Sequence, residues 1–273
     1  MDLFSAQYPF VFCSLASGSN GNCYYIGNGE EGILVDVGIS LRSIRKRLSE
    51  IGVGISRIKA VFVTHDHTDH IKGLAALTMQ QTIQVFASTE TIMAIQKNPD
   101  CHGISADCLF HLNDRETVKL AGLGIENFSV SHDAPGASGY YIRNSHNSIT
   151  IATDLGYISE KVAGYLKKST IVVIESNYDE EMLQKSRYPR YLRERISGGI
   201  GHLSNRQTSD FLADHIAPHM SHIFLCHLSK ENNHPELALK TLEHTLRQRG
   251  KSTDTTLIRA LPRGARTEPF YFS

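Results

Sequence analysis

One short stretch of the chain has a high density of side chains that bind metal ions: residues 65–70 read HDHTDH. Neutral imidazole and carboxylate groups are the ligands that zinc and similar divalent metals use in proteins. Because alternate side chains of an extended loop point to the same side, His65 and His67 can hold one ion. Asp69 and His70 can point at a second ion beside the first. The stretch therefore predicts a two-metal hydrolytic site rather than a chance cluster on a solvated loop.

The elements on both sides of this loop would hold it in place. Residues 60–63 are apolar, β-branched and aromatic, which is typical of a buried strand. After the loop, apolar residues recur at positions 71, 74, 75 and 77, which is the spacing of a helix. Thr68 is a candidate N-cap for that helix. Asp69 and His70 would then lie in its first turn.

Three further apolar runs lead into a residue type that binds metals. These residues are His132, Asp154 and His227, which follow strands predicted to end at residues 130, 152 and 226. Enzymes built from strands and helices assemble their sites at strand ends. Each of the three residues alone would be read as structural. Together with residues 65–70, they complete the ligands of two metal ions.

The rest of the chain alternates between strand and helix patterns. Strands are predicted at residues 10–15, 23–26, 32–36, 83–87, 117–130 (two strands), 139–142 and 171–174, and helices at 39–51, 89–96 and 206–215. The Gly-, Ser- and Asn-rich loop at 16–22 is either a hairpin turn or a loop whose backbone N–H groups approach an anionic ligand or the metal floor. His102 and His111 flank Cys101 and Cys108 without a zinc-binding spacing, so they are predicted to be loop and surface residues.

Composition limits what the molecule as a whole can bind. The 273 residues suffice for one large domain or two small ones, and 41% of them are hydrophobic, as in ordinary globular proteins. The 28 basic and 28 acidic residues balance, so the overall field will not recruit nucleic acid. Any polyanion must be bound by a local basic patch.

Cysteine usage and the first residues bear on the compartment. Five cysteines without a close pair favour reduced thiols and a cytoplasmic protein. Residues 1–7 lack the basic and apolar regions of an export signal, and no apolar run approaches membrane-spanning length. A cytoplasmic protein without membrane contact is expected.

A basic segment is the candidate patch. Residues 187–206 contain five arginines against one acid, Glu194, with Tyr188 and Tyr191 interleaved. If Pro189 is the first residue of a helix, Arg190 and Arg193 share a face. That face is either solvated or a wall that clamps phosphates while tyrosines stack on bases or sugars. Its position next to His202 favours the wall.

His202 and Ser204 lie just before the helix predicted at residues 206–215. A helix N-terminus can receive a phosphate, so both are candidate substrate contacts. His202 is a candidate catalytic residue for phosphate contact or leaving-group protonation. The alternative is that Ser204 only caps the helix while His202 packs against it.

In its order of ligand residues, the chain resembles the metallo-β-lactamase superfamily over nearly its whole length. The resemblance implies an α/β fold, a four-layer αββα sandwich, formed by a single domain over residues 1–273. It implies a first metal held by His65, His67 and His132, a second held by Asp69, His70 and His227, and Asp154 bridging them. Asp69 and Asp154 would then be catalytic. Since no cysteine occupies these positions, the pattern is not that of the antibiotic-hydrolysing zinc enzymes that use one.

Four motifs narrow the resemblance: LASGSNGN at 15–22, ESN at 175–177, GHLSN at 201–205 and HLSKENN at 227–233. They are similar to the YycJ/WalJ-like subfamily, whose members are linked to DNA exonuclease activity. The resemblance implies a 5′ to 3′ exonuclease that uses two divalent ions, which would be zinc, manganese or iron. The alternatives are a small-molecule hydrolase, such as a cyclic phosphodiesterase or thioesterase, and a non-catalytic, metal-stabilised adaptor.

Overall fold

A computed structural model describes residues 10–272, which form two β-sheets flanked by helices. The strands are β1 Phe10–Ala16, β2 Cys23–Gly27, β3 Gly32–Val35, β4 Ile58–Phe62, β5 Gln84–Ser88, β6 Leu109–Leu112, β7 Thr117–Leu120, β8 Leu123–Ser129, β9 Ser138–Arg143, β10 Ser148–Ala152, β11 Ile171–Glu175, β12 His222–Cys226, β13 Leu257–Ala260 and β14 Phe270–Phe272. The α-helices are α1 Leu41–Ser49, α2 Thr68–Ile71, α3 Leu74–Gln80, α4 Thr89–Lys97, α5 Glu160–Lys168, α6 Glu180–Lys185, α7 Arg190–Ser197, α8 Asn205–His215 and α9 Pro235–Gln248.

The two sheets pack face to face, with a core of apolar side chains between them. The first sheet has the order β14-β1-β2-β3-β4-β5-β6, and the second has the order β13-β12-β11-β10-β9-β8-β7. The rings of Phe12 and Phe224, one from each sheet, lie 5.1 Å apart, and those of Phe62 and Tyr140 lie 5.5 Å apart. Two further buried clusters join each sheet to its outer helices. The predicted αββα four-layer sandwich is confirmed.

The direction of the strands explains why distant ligands meet. Strands β3 to β6 run parallel in one sheet, and β10 to β13 run parallel in the other. Strand β8 is antiparallel to β9, which is antiparallel to β10, so β8 and β10 point the same way. The residues that follow β4, β8, β10 and β12 therefore emerge at one edge of the sandwich, here called the site edge.

Most of the predicted elements are confirmed, but two helix starts are wrong. The pattern from position 69 forms two short helices, because the N–H of Gly73 donates to the carbonyl of Val37 and not to that of Asp69. Asp69 O accepts from Asn22 instead, at 2.8 Å. His67, not Thr68, is the N-cap of α2. Pro189 is likewise the N-cap of α7, and Arg190 is the first helical residue.

Some elements had no clear signal in the sequence, among them β6, which carries His111. His102 and His111 are both exposed, and neither joins a metal-binding group of the described residues. Among the helices of residues 10–272, none has the length and apolar character needed to cross a membrane. Residues 1–9 and 273 lie outside the described residues. They include residues 1–7, which are interpreted as lacking an export signal, and both ends of the predicted domain.

Candidate metal centre

Three histidines at the site edge form the first metal-binding group, His65, His67 and His132. Their ligand atoms all lie within 4.8 Å of one another, and Nδ1 of His67 is 3.4 Å from Nε2 of His132. Nε2 of His65 is buried and has no hydrogen-bond partner among the described residues. Burial lowers the pKa of His65 and of His132, which favours the neutral imidazole that binds metals. An orphaned buried nitrogen facing two other imidazoles fits a bound cation.

Asp69, His70 and His227 form a second group beside the first. Oδ2 of Asp69 lies 3.3 Å from Nε2 of His227 and 3.5 Å from Nε2 of His70. Burial alone would lower the pKa of His70 and His227, but nearby carboxylates raise both. The negative charge that would hold a proton on these imidazoles would equally attract a metal cation.

Asp154 lies between the two groups. Its Oδ2 is 3.3 Å from Nε2 of His70, and its Oδ1 is 3.6 Å from Nε2 of His132. Oδ1 also lies 3.5 Å from Nδ1 of His227, so the carboxylate of Asp154 is close to both groups, as a bridging ligand must be. The structure thus brings together all seven predicted ligands, although they come from four separate parts of the chain.

Unusual backbone conformations aim three of the site's side chains. Asp36, Asp154 and His227 have positive φ angles of 59°, 57° and 53°. Each of these residues lies one or two positions past a strand end. Such conformations cost about 1–3 kcal/mol for a residue other than glycine and persist only where the surroundings impose them. These conformations change the direction of the chain directly after each strand. The side chains of the three residues therefore do not follow the alternating up-and-down pattern of the strand before them.

Two carboxylates support ligands from behind. Glu175 is fully buried, and its Oε1 accepts from Nδ1 of His202 at 2.7 Å and from Nδ1 of His227 at 2.9 Å. Its Oε2 accepts from the backbone N–H groups of Leu155 and Leu203. Burial would raise the pKa of Glu175, but His202 and His227 lower it overall. Glu175 thus orients the imidazoles of His202 and His227, and with them and Asp154 it forms a further group whose ligand atoms lie within 4.8 Å of one another.

Asp36 supports His70 in the same way. Its Oδ2 accepts from Nδ1 of His70 at 2.7 Å, and its Oδ1 accepts from the backbone N–H of Thr64 at 2.8 Å. Burial raises the pKa of Asp36 despite the opposing effect of His70. Carboxylates behind metal-binding histidines fix the ring orientation and raise ligand basicity. In the sequence, the only sign of Asp36 and Glu175 is that each is an acidic residue at the end of a predicted strand. The same feature identified Asp154.

The loop at 16–22 is both a turn and part of the floor. Gly21 N donates to Gly18 O at 2.9 Å, which closes the turn. Nδ2 of Asn22 lies 3.1 Å from Nε2 of His70. The backbone at Gly38 also packs closely against this region, because a Cβ added there would lie 1.7 Å from the carbonyl oxygen of Asp69. This contact explains why the residue is a glycine. The loop is thus the predicted hairpin turn between β1 and β2, and the approach of its backbone N–H groups to a ligand or to the metal floor stays a prediction.

Helix α7 and the residues just before it cover the ligands and leave a pocket of about 270 Å³. Tyr188, Leu192, Arg195 and Ile196 line it on the helix side. The Nε atom of Arg195 donates to Oδ2 of Asp133, whose other carboxylate oxygen lies 3.4 Å from Nε2 of His132. The sequence did not single out Asp133 or Arg195 individually. The helix positions Arg195 because Leu192, Arg195 and Ile196 share one face.

The predicted substrate contacts lie in different places. His202 lines the metal pocket, and its side chain is 21% exposed. Arg190 and Arg193 line a separate cavity of about 430 Å³, where Arg190 pairs with Glu194 at 2.7 Å. Ser204 is fully buried and caps α8 through a capping box with Gln207. Its hydroxyl is therefore already used inside the fold.

The αββα layers and the two ligand groups with Asp154 beside both define the class of this protein, a metal-dependent hydrolase with the metallo-β-lactamase fold. The chain belongs to the β-lactamase superfamily, whose domain model matches residues 32–223. It is 35% identical over 239 residues to the exodeoxyribonuclease YycJ of Bacillus anthracis, covering 88% of this chain and 90% of that one. It is 33% identical over 243 residues to the exodeoxyribonuclease WalJ of Streptococcus pneumoniae, covering 89% and 90%.

Solved structures agree on the fold. The metallo-β-lactamase fold protein YhfI of Bacillus subtilis superposes with a TM-score of 0.71 at 13% identity, covering 95% of this chain and 98% of YhfI. The resemblance to the superfamily and to its YycJ/WalJ-like members is confirmed by these matches.

Proposed function

We propose that this chain is a two-metal exodeoxyribonuclease that removes nucleotides from the end of a DNA strand. The observation that carries the proposal is the pair of ligand groups with the carboxylate of Asp154 within 3.6 Å of a histidine nitrogen in each. The names of the relatives that match 88% and 89% of the chain support DNA as the substrate. We further propose that the ions are zinc, manganese or iron, which suit histidine and carboxylate ligands.

In the proposed centre, His65, His67 and His132 hold one ion, Asp69, His70 and His227 hold the other, and Asp154 bridges them. Two bound divalent ions would supply an activated water and neutralise charge on the attacking and leaving oxygens of a phosphodiester. Asp69 and Asp154 are the carboxylates nearest to that chemistry. Asp154 is buried and Asp69 is only partly exposed, toward the pocket, and the limited access of water strengthens electrostatic interactions there.

His202 is proposed to contact the phosphate or to protonate the leaving oxygen. Its Nδ1 is bound to Glu175, so its Nε2 lies on the side of the ring away from that carboxylate. Arg195 is proposed as a phosphate contact, because it lines the pocket and can exchange its bond to Asp133 for one to a phosphate. Arg190 and Arg193 remain proposed contacts for DNA that extends past α7.

The size of the pocket favours a chain end over a continuous strand. Its volume of about 270 Å³ lies just below the usual range of ligand pockets, which is roughly 300–1,000 Å³. Helix α7 covers one side, so the covered pocket suits a terminal nucleotide. The same small volume would suit a small phosphodiester, which makes a small-molecule hydrolase the second candidate.

Digestion of end-labelled DNA tests the proposal. Wild-type protein is stripped of metal, reloaded separately with Zn²⁺, Mn²⁺ or Fe²⁺, and incubated with oligonucleotides labelled at the 5′ or the 3′ end. We expect labelled mononucleotide to appear first from 5′-labelled DNA, and Asp154→Asn to abolish its release. Asp214→Asn, which changes an exposed aspartate on α8, is the matched control. Cleavage of bis(p-nitrophenyl) phosphate with DNA left intact would replace the proposal with a small-molecule hydrolase.

A further inference from the structure

Several exposed apolar side chains lie on chain segments next to the metal pocket. Within residues 10–272, six large apolar residues have well-exposed side chains: Met79, Met93, Tyr157, Tyr191, Ile200 and Tyr271. Three of them lie close in the chain to residues that line the metal pocket: Tyr191 precedes Leu192 on α7, Tyr157 follows Asp154 by three residues, and Ile200 precedes His202 by two. Exposed apolar groups that collect at one place on a surface mark sites of interaction.

Tyr157 and Ile200 lie on backbone segments that touch each other. A Cβ added to Gly156 would lie 2.1 Å from the carbonyl oxygen of Gly199 and 2.6 Å from the nitrogen of Ile200. Only a glycine permits this approach. Tyr157 is 52% exposed and Ile200 is 57% exposed, so neither side chain is used by the core. We call this pair of side chains the rim platform.

Hydrogen bonds tie the rim platform to the metal centre. Ser131 O accepts from the N–H of Gly156 at 2.7 Å, and the Ser131 hydroxyl donates to Gly199 O at 2.7 Å. Ser131 precedes the ligand His132, whose Nδ1 lies 3.1 Å from Gly201 O. Tyr157 itself comes three residues after Asp154. The position of the platform is therefore set relative to the ligands by short covalent and hydrogen-bonded links.

We propose that the rim platform stacks against a nucleobase of the DNA substrate and thereby positions the adjoining phosphodiester over the metal centre. This inference rests on the proposed function. A phosphate in the pocket places the base of its own nucleotide one sugar away, at the rim. An aromatic ring beside an aliphatic side chain offers a flat apolar surface, and any base has a π-face that can stack on it. Tyr157 would be the main substrate-positioning residue.

Abasic DNA provides the test, because it keeps the phosphates and removes the base. Tyr157→Ala and Tyr157→Phe are compared with wild type on ordinary DNA and on DNA with tetrahydrofuran abasic residues at the first two positions. We expect Tyr157→Ala to raise KM on ordinary DNA by about tenfold, the effect of losing one base–aromatic stack. Tyr157→Phe should restore wild-type KM. On abasic DNA, wild type and Tyr157→Ala should have the same KM.

Tyr271→Ala is the matched control. Tyr271 is 64% exposed, and it pairs with Val11 near the start of β1, at the edge of the sandwich opposite the metal centre. An equal rise in KM on ordinary and abasic DNA, or a Tyr157→Ala variant that behaves like Tyr271→Ala, would overturn the inference while leaving the nuclease intact. A wild-type protein that cleaves no DNA would instead remove the proposed function and this inference together.

Discussion

Glu175 holds His227 from behind, with its Oε1 accepting from Nδ1 of His227 at 2.9 Å, so that Nε2 of the same ring faces Asp69 at 3.3 Å. The imidazole is thus fixed in one tautomer and one orientation. Burying the Glu175 carboxylate costs desolvation free energy. The hydrogen bonds from two imidazoles and two backbone N–H groups offset this cost.

Replacing Glu175 should therefore weaken metal binding. Glu175→Gln puts an amide where four donors converge, so at least one hydrogen bond to an imidazole or a backbone N–H is lost. We expect metal affinity to fall by about 10- to 100-fold, the usual effect of removing a carboxylate behind a ligand. Competition with a fluorescent chelator measures the affinity. Glu194→Gln, on the exposed face of α7, is the control, and equal affinities in the two variants would contradict the role of Glu175.

Asp36 should matter mainly for the ion beside His70. Asp36→Asn removes the charge that faces Nδ1 of His70 at 2.7 Å, while asparagine still tolerates the positive φ at this position. We expect the metal content of protein loaded with two equivalents of metal and then desalted to fall from about two ions per chain toward one. Elemental analysis by mass spectrometry measures the ratio. The exposed Asp107→Asn is the control, and a variant that keeps the wild-type ratio would show that His70 needs no such partner.

Arg195 should contribute more to DNA binding than Arg190 and Arg193 together. Arg195 lines the metal pocket, whereas the other two line a different cavity and are engaged by Glu194 and by carbonyl oxygens. We expect Arg195→Ala to raise KM for DNA roughly five- to tenfold, as the loss of a charge-assisted hydrogen bond does. Steady-state kinetics on labelled DNA measure this. A larger rise in KM for the Arg190→Ala/Arg193→Ala variant would mean that the phosphate contacts lie on the outer face of α7 and not at Arg195.

Metal removal should lower thermal stability. Without cations, the negative charges of Asp69 and Asp154 lie close together at the site. A ligand that binds only the folded state stabilises it by about 2.7 kcal/mol when the free ligand concentration is 100 times the Kd. We expect chelation to lower the melting temperature of the wild type by several degrees and that of Asp154→Asn by much less. Calorimetry with and without chelator tests this. Equal shifts in both proteins would mean that the chelator acts elsewhere.

Gly38 should tolerate no side chain. Its added Cβ would lie 1.7 Å from Asp69 O, so Gly38→Ala must displace the backbone of a predicted ligand. We expect it to lower the free energy of unfolding by at least about 1–3 kcal/mol, as overpacking does, and to lower metal content. Gly164→Ala, in α5 with no atom within 4 Å of its added Cβ, should instead stabilise by roughly 0.5–1 kcal/mol. Urea titration compares the two, and similar losses would contradict the close approach.

Local patterns in the sequence determined the ligand types and most of the elements that position them. Apolar strands followed by histidine or aspartate are visible without any fold, because strand periodicity and ligand chemistry are local properties. The resemblance to the superfamily then supplied the pairing of His65, His67 and His132 against Asp69, His70 and His227, and both sets are among the four groups of close ligand atoms in the described residues.

Only the tertiary structure decided which side chains surround those ligands. Glu175 and His202 lie 27 residues apart in the chain, and their contact depends on the sheet and on the loop after α7. Which arginines of α7 face the pocket and which face outward depends on where the helix starts, at Arg190, and on how it packs over the pocket. A small change in the helix start would exchange the two faces. The sequence by itself therefore determined a metal centre, while the three-dimensional packing decided that Arg195, Glu175 and the rim platform adjoin it.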